Sequence, residues 1–338
     1  MLFLLSSSRE ISTFVKLIGP SVQFRDPRTN VSRAESKNNK IMYPRAFHYH
    51  RAGSLKDAAA ILAQLGDDAK LLAGGQSLIP LMKLRFANPA HLVDLNFISG
   101  TSYIKEDNGT LRFGALTRHA EIESSTAAAK IPILHDCAAG IADIQVRNRG
   151  TIGGSLAEAD PSGDWATVLF TLSAEVRCLG TNGERTVSLN DFIKDAYTTA
   201  LAHDELVSEV VVKIPPRGSG GAFLAFKRSA PVYPTASAAV QLMMDGDVCQ
   251  DVAIALGCVG LTPIRANDAE AAIRGKALTE ETMLDATEAA RAIADPQTDI
   301  RGSADYKRTL VGALVKRAIG IAVRRARGEQ VEVGHLYA

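Results

Sequence analysis

The stretch "LLAGGQSLIPLMK" (residues 71–83) sets two adjacent glycines and two small polar residues between apolar runs. "AKLLAGG" has the length of a buried strand. "SLIPLMKLRFA" reads as a helix, with Pro80 in the first turn, where proline is tolerated. Glycine at such a turn permits positive φ and leaves no Cβ in the way, so backbone N–H groups can converge on an anion. A second stretch, "TIGGSLAEADPSGDW" (151–165), repeats the device. Ser77, Thr151 and Ser155 add uncharged hydroxyl donors. A lone glycine pair also ends strands for steric reasons. Two pairs, each followed by a small polar residue, argue for one shared ligand, a diphosphate on a large organic body. Neither pair fits GxGxxG or GxxxxGK[ST], which disfavours a Rossmann dinucleotide site and a P-loop ATPase.

The rest of the chain limits the alternatives. Its 338 residues suggest about two domains, and 46% hydrophobic with 22% charged content is ordinary for a globular protein. A formal net charge of +1 gives no broad attraction to nucleic acid or an acidic membrane. Cys137, Cys178, Cys249 and Cys258 are scattered without a CxxC pair, so the usual zinc and iron–sulfur ligand sets are missing and free thiols in a cytoplasmic protein are expected. No apolar stretch approaches the ~20 residues of a membrane helix. Residues 1–41 are patternless and polar after a short apolar start, and read as a disordered, dispensable tail or an upstream extension, with a weak targeting signal as the alternative.

From Met42 strands and helices alternate. "SLKDAAAILAQLG" opens on a Ser54-x-x-Asp57 capping box and closes at Gly66. Thr117 suits the cap of "RHAEIESS", and "PRGSGG" (216–221) reads as a linker. Beyond it, "AFLAFKRS", "ASAAVQLMM" and "VCQDVAIALGCVG" read as strands, the last two joined by "DGD". Three helical stretches follow. The last ends in Arg324, Arg325 and Arg327, which reads as a solvated helix end, with a site for an acidic partner as the alternative.

"AGGQS" (73–77), "VRNRGTIGGSLAEADPSGDW" (146–165) and "YTTAL" (197–201) resemble the FAD-binding medium subunit of the molybdenum hydroxylases, the family of bacterial carbon monoxide dehydrogenase, xanthine dehydrogenase and aldehyde oxidase. The resemblance runs from about Met42 to the C-terminus. It implies an α+β fold. A two-part FAD-binding domain of the PCMH (vanillyl-alcohol-oxidase-like) type would span 42–217. A small domain of a three-stranded antiparallel sheet plus a helical bundle would span 218–338. It further implies that Leu71, Leu72, Ala73, Gly74, Gly75, Gln76, Ser77 and Leu78 cradle the FAD pyrophosphate. Thr151, Ile152, Gly153, Gly154 and Ser155 would complete the phosphate and ribityl contacts. Asp164 and Lys227 stand where the family bonds and approaches the flavin, and Ile141 and Val207 near positions that pack on it. Ser155 replaces the more usual Asn, and "SAPVYPTASAAV" departs from a run that usually carries an aspartate.

Other readings stay open for some of these residues. Asp164 also suits the cap of the helix at Trp165, and Lys227 an ordinary edge-strand lysine. Trp165 reads as core. "HYH" (48–50) puts two histidines on one strand face, too few for a metal. The resemblance implies non-covalent FAD, with molybdopterin and [2Fe–2S] clusters confined to a large and a small partner subunit in a dimer of heterotrimers. Electrons would pass through the FAD to an external acceptor, and no side chain here would be catalytic. A stand-alone flavin oxidase and a flavin-free assembly module are the rival readings.

Overall fold

The computed structural model describes residues 43–229, 231–334 and 336–337. The tail expected over 1–41 lies outside the described residues.

The chain opens with β1 (His48–Arg51), α1 (Leu55–Leu65), β2 (Ala69–Leu72), α2 (Leu78–Lys83) and β3 (His91–Asp94), the strands forming a parallel sheet in the order β1-β3-β2. Ser54 Oγ accepts from the Asp57 amide at 3.0 Å, and Gly66 ends α1 at φ +58°. α1 buries Ala58, Ala59 and Leu62. α2 is shorter than its sequence pattern implied: it stops at Lys83, and Arg85 turns to φ +67°.

A second unit contains β4 (Ile104–Asp107), β5 (Thr110–Gly114), α3 (His119–Glu123), α4 (Pro132–Gly140), α5 (Ile144–Arg147), α6 (Ile152–Glu158) and α7 (Asp164–Thr171). It continues through β6 (Glu175–Gly180), β7 (Gly183–Ser188), α8 (Leu189–Phe192), β8 (Ile193–Asp195), β9 (Thr198–Thr199) and β10 (Leu206–Lys213). Its antiparallel sheet runs β4-β5-β10-β6-β7. Phe113, Leu134, Trp165 and Val210 lie in the core beneath it. Thr117 does not cap α3. Its hydroxyl bonds the backbone of Tyr103 instead, and the exposed first turn is closed by Glu121 accepting from the Arg118 amide.

The remainder is β11 (Ser219–Lys227), β12 (Ala236–Asp245), β13 (Val248–Gly257), β14 (Ile264–Arg265), α9 (Asn267–Ile273), β15 (Lys276–Ala277), α10 (Glu280–Ile293), α11 (Ala304–Ala326) and β16 (Leu336–Tyr337). β11, β12 and β13 form the expected antiparallel trio, with Gly246 at φ +57° in the hairpin. Short strands extend it on both sides, in the order β14-β13-β12-β11-β16 with β15 on β13.

This sheet is buried on both faces. Phe223, Ala239 and Ala255 pack into the core shared with α4 and α7, whereas Leu224, Val240 and Ile254 pack on Val315 and Ile319 of α11. Burial on both faces explains why these strands read as continuous apolar runs rather than alternating ones. It also corrects the linker. Gly220 and Gly221 belong to β11, and a Cβ at Gly220 would fall on the Ala322 carbonyl oxygen and 2.5 Å from the Ala326 nitrogen. Arg325 likewise is no solvated helix end. Its side chain is buried and pairs bidentately with Asp136 of α4 at 2.6 and 2.9 Å, while donating to Gly221 O at 2.7 Å.

Candidate functional site

The two glycine turns meet. A Cβ at Gly74 would overlap the Arg149 carbonyl oxygen and lie 2.8 Å from Gly150 Cα; one at Gly154 would lie 3.7 Å from Ala73 Cβ. A polar tie holds them together from below. Asn96 Nδ2 donates to Ala73 O at 2.8 Å, Arg118 Nη2 donates to Asn96 Oδ1 at 2.7 Å, and Arg118 Nη1 donates to Arg149 O. Asp94 orients Asn96 by accepting from its amide at 2.8 Å.

The two turns use their amides differently. At the end of β2, the consecutive amides of Gly74, Gly75, Gln76, Ser77 and Leu78 have no acceptor among the described residues, and helical bonding begins with Ile79 donating to Gly75 O. Gly75 holds φ +72°, the conformation that lets a short run of N–H groups curve around an anion. At the start of α6, by contrast, Ile152 donates to Thr117 O, Gly153 to Ala115 O, Gly154 to Thr151 Oγ1 and Ser155 to Thr151 O. The second pair is therefore steric. Gly153 lets α6 press on β5's continuation, where a Cβ would lie 2.7 Å from that of Ala115. Thr151 is buried as the helix cap, while Ser155 is left partly exposed.

The other residues named from sequence gather less evenly. Asp164 is the first residue of α7, after a Gly163 cap, and faces Lys227 with Oδ2 3.6 Å from Nζ. Lys227 is 3% exposed and also donates to Gly140 O, the residue before Ile141, so it is no edge-strand lysine. Burial raises the Asp164 carboxyl, and Lys227 opposes that rise. Asp164 Oδ1, Thr167 Oγ1 and Ser237 Oγ are buried without a hydrogen-bond partner among the described residues. A buried carboxylate oxygen left so costs about 1–3 kcal/mol or more, and a ligand N–H would recover it. Ile141 follows α4 half-buried against the core. Val207 is inside that core on β10, opposite Cys178.

Sequence reasoning missed a polar group between the two ends. Glu158, at the close of α6, is pushed up to about 7 by burial, against a hydrogen bond from Ser77 and with help from Asp160. Tyr197 and Tyr233 share Asp160, and burial with that carboxylate pushes both phenols up. Arg301 reaches the same region, donating to Ser162 Oγ at 3.2 Å and Pro234 O at 3.1 Å. The acid pair in "AEAD" directly after the second glycines was the available signal.

Trp165 is core, as read, and its Nε1 donates to His119 Nδ1 at 3.0 Å. Burial, Arg118 and Arg147 depress His119 to about 3, so it accepts as a neutral ring. His48 and His50 are joined by His91 of β3, with His50 Nε2 and His91 Nδ1 2.9 Å apart. Among the described residues, no group of three or more such side chains is placed to hold a metal ion, and no helix is long and apolar enough to cross a membrane.

Comparison with known proteins bears on the chain as a whole. Residues 45–216 match the family model described as the FAD binding domain in molybdopterin dehydrogenase, and 221–322 the CO dehydrogenase flavoprotein C-terminal domain. The chain is 41% identical over 285 residues to the carbon monoxide dehydrogenase medium chain of Hydrogenophaga pseudoflava, covering 84% of this chain and 99% of that one. It is 41% identical over 287 residues to the corresponding chain of Afipia carboxidovorans, covering 85% and 100%. Among solved structures, quinoline 2-oxidoreductase from Pseudomonas putida 86 superposes with a TM-score of 0.80 at 36% identity, over 84% of this chain and 99% of that chain. With these matches spanning both parts of the fold, the chain belongs to the family of FAD-binding medium subunits of the molybdenum hydroxylases.

Proposed function

We propose that the unengaged amides of Gly74 to Leu78 hold the FAD pyrophosphate, with Ser77 and Ser155 beside them, and that Asp164 and Lys227 meet the polar edge of the flavin. Bound FAD supplies the redox chemistry; the chain supplies its position, electrostatics and access. Asp164 Oδ1 awaits a donor, and Lys227 places positive charge next to it. Ile141 lies one residue beyond the carbonyl that Lys227 bonds. Leu71, Leu72 and Ala73 lead into the cradle, which rests on the backbone of Arg149 and Gly150 just ahead of Thr151 to Gly154, with Gly154 beside Ala73. The division into a FAD-binding part (42–217) and a C-terminal part (218–338) belongs to the same reading.

On this reading the chain relays electrons from the [2Fe–2S] clusters of a small partner subunit to an external acceptor. Oxidation of the substrate takes place on a large molybdopterin subunit, in a cytoplasmic dimer of heterotrimers. No group here serves as acid or base for that oxidation.

The observation that carries the proposal is the run of unengaged amides at a turn whose glycine touches the second turn's backbone. Gly74→Val and Gly75→Val test it. The first drives a side chain into Arg149 O, and the second strains a positive φ at a cost of about 1–3 kcal/mol. Flavin absorbance per purified chain should fall to near zero in both, with the circular dichroism of the fold kept. Full flavin content in both variants would refute the cradle.

A further inference from the structure

Phe226, Arg228, Thr235, Ile300, Arg301 and Tyr306 line a cavity of about 240 Å³ at the end of β11. Lys227, one residue from both Phe226 and Arg228, points the other way, toward Asp164. The cavity's aromatic wall is Phe226 set edge-to-face on Tyr306, ring centroids 6.4 Å apart. Gly302 makes that wall possible, because a Cβ there would lie 2.6 Å from Tyr306 Cδ1. Ile300, 61% exposed, forms an apolar lip.

The charges in the cavity are unbalanced. Arg301 is held by a turn in which Asp299 and Gly302 exchange backbone hydrogen bonds, both at 3.1 Å. Its Nε lies 3.3 Å from Asp299 Oδ2, but Asp299 also pairs with Lys307 at 2.8 Å, so one carboxylate serves two cations. Arg228 is exposed and has no hydrogen-bond or ion-pair partner among the described residues. Two guanidinium groups beside two aromatic rings favour a ligand that is flat, aromatic and anionic. The volume suits one or two fused rings with an acidic substituent and is too small for a whole dinucleotide.

We infer that this cavity binds an aromatic anion. Arg301 joins it to the candidate flavin site, since its Nη1 bonds Ser162, two residues before Asp164. Identifying the bound anion with the complex's electron acceptor rests on the function proposed above; the binding itself does not.

Isothermal titration of the full chain, with and without FAD, separates the two claims. Two probes carry the shared chemistry from different sources, nicotinate (pyridine-3-carboxylate) and 1,4-naphthoquinone-2-sulfonate. At least one should bind with one-to-one stoichiometry, and unsulfonated naphthoquinone should bind more weakly. Arg228→Ala should weaken the bound probe about tenfold, the loss of a charge-assisted contact. Ile300→Glu, which sets a carboxylate on an exposed lip, should weaken it at least as much. Whichever probe binds tighter names the source. Absence of binding by both probes, or affinities unchanged in both variants, would overturn the inference. Probe binding by a chain that takes up no FAD would instead keep the cavity and remove the FAD reading.

Discussion

Gly74 and Gly75 are neighbours that tolerate no side chain for different reasons. Gly74 has the second turn against its Cα, and Gly75 needs a left-handed backbone. Both requirements were legible, because glycine is the residue type that meets them and the paired spacing was unusual. The tie beneath them was not. Asn96 and Arg118 are ordinary polar residues whose partners lie 23 and 31 positions away, a relation no local pattern records. Asn96→Ala should therefore cost about 1–3 kcal/mol by leaving Ala73 O and Arg118 short of partners, visible as a lowered melting temperature and weaker FAD retention. A melting temperature and flavin content equal to wild type would exclude the tie. His119 gives a pH signature. Its folded-state value of about 3 lies below the ordinary 6.5, so the unfolded chain binds the extra proton between those limits. Its contribution is intact above pH 6.5 and declines by about 1.4 kcal/mol per pH unit as pH falls through that window. His119→Gln keeps an acceptor for Trp165 but cannot be protonated. Its melting temperature should fall less steeply than wild type between pH 6.5 and 4, and parallel curves would contradict the assignment.

At the scale of elements, β11 shows how composition misleads. "PRGSGG" has the residues of a flexible linker, yet its last glycines are strand positions crossed by α11 at backbone contact distance. The hairpin from β12 to β13 was legible because "DGD" supplies its own turn. The burial of this sheet on both faces was not, because a short apolar run looks the same in either setting. Gly220→Ala should push α11 off the sheet and cost about 1–3 kcal/mol, as overpacking does. Gly246→Ala, at an open turn, should cost less despite its positive φ. Equal melting temperatures for the two would show that α11 yields freely.

The whole molecule is joined by Asp136 and Arg325. Burial raises the Asp136 carboxyl, and Arg325, with the Phe223 amide, draws it back. Removing one partner of a buried pair costs about 3–5 kcal/mol, whereas replacing both is often nearly neutral. Arg325→Met should thus lower the melting temperature far more than Arg325→Met combined with Asp136→Leu; additive losses would deny the coupling. Function at this scale is tested by isolation. The FAD-loaded chain alone should keep its flavin band when given aldehydes, purines or N-heterocycles, and lose it once the iron–sulfur and molybdenum subunits are added. Rapid bleaching without them would favour a stand-alone oxidase.

The same ion pair imposes a schedule on the chain's birth. Asp136 and Arg325 are 189 positions apart. At about 5–20 residues per second, a ribosome needs about 10–40 s to travel from one to the other. Throughout that interval α4 has a carboxyl meant for the interior and no cation to meet it. The emerging FAD-binding part must therefore leave that helix open to water, or carry the carboxyl protonated, until almost the last turn of α11 is made. The surroundings of Asp136 are completed only by that helix, although Gly74 to Leu78 were synthesised long before.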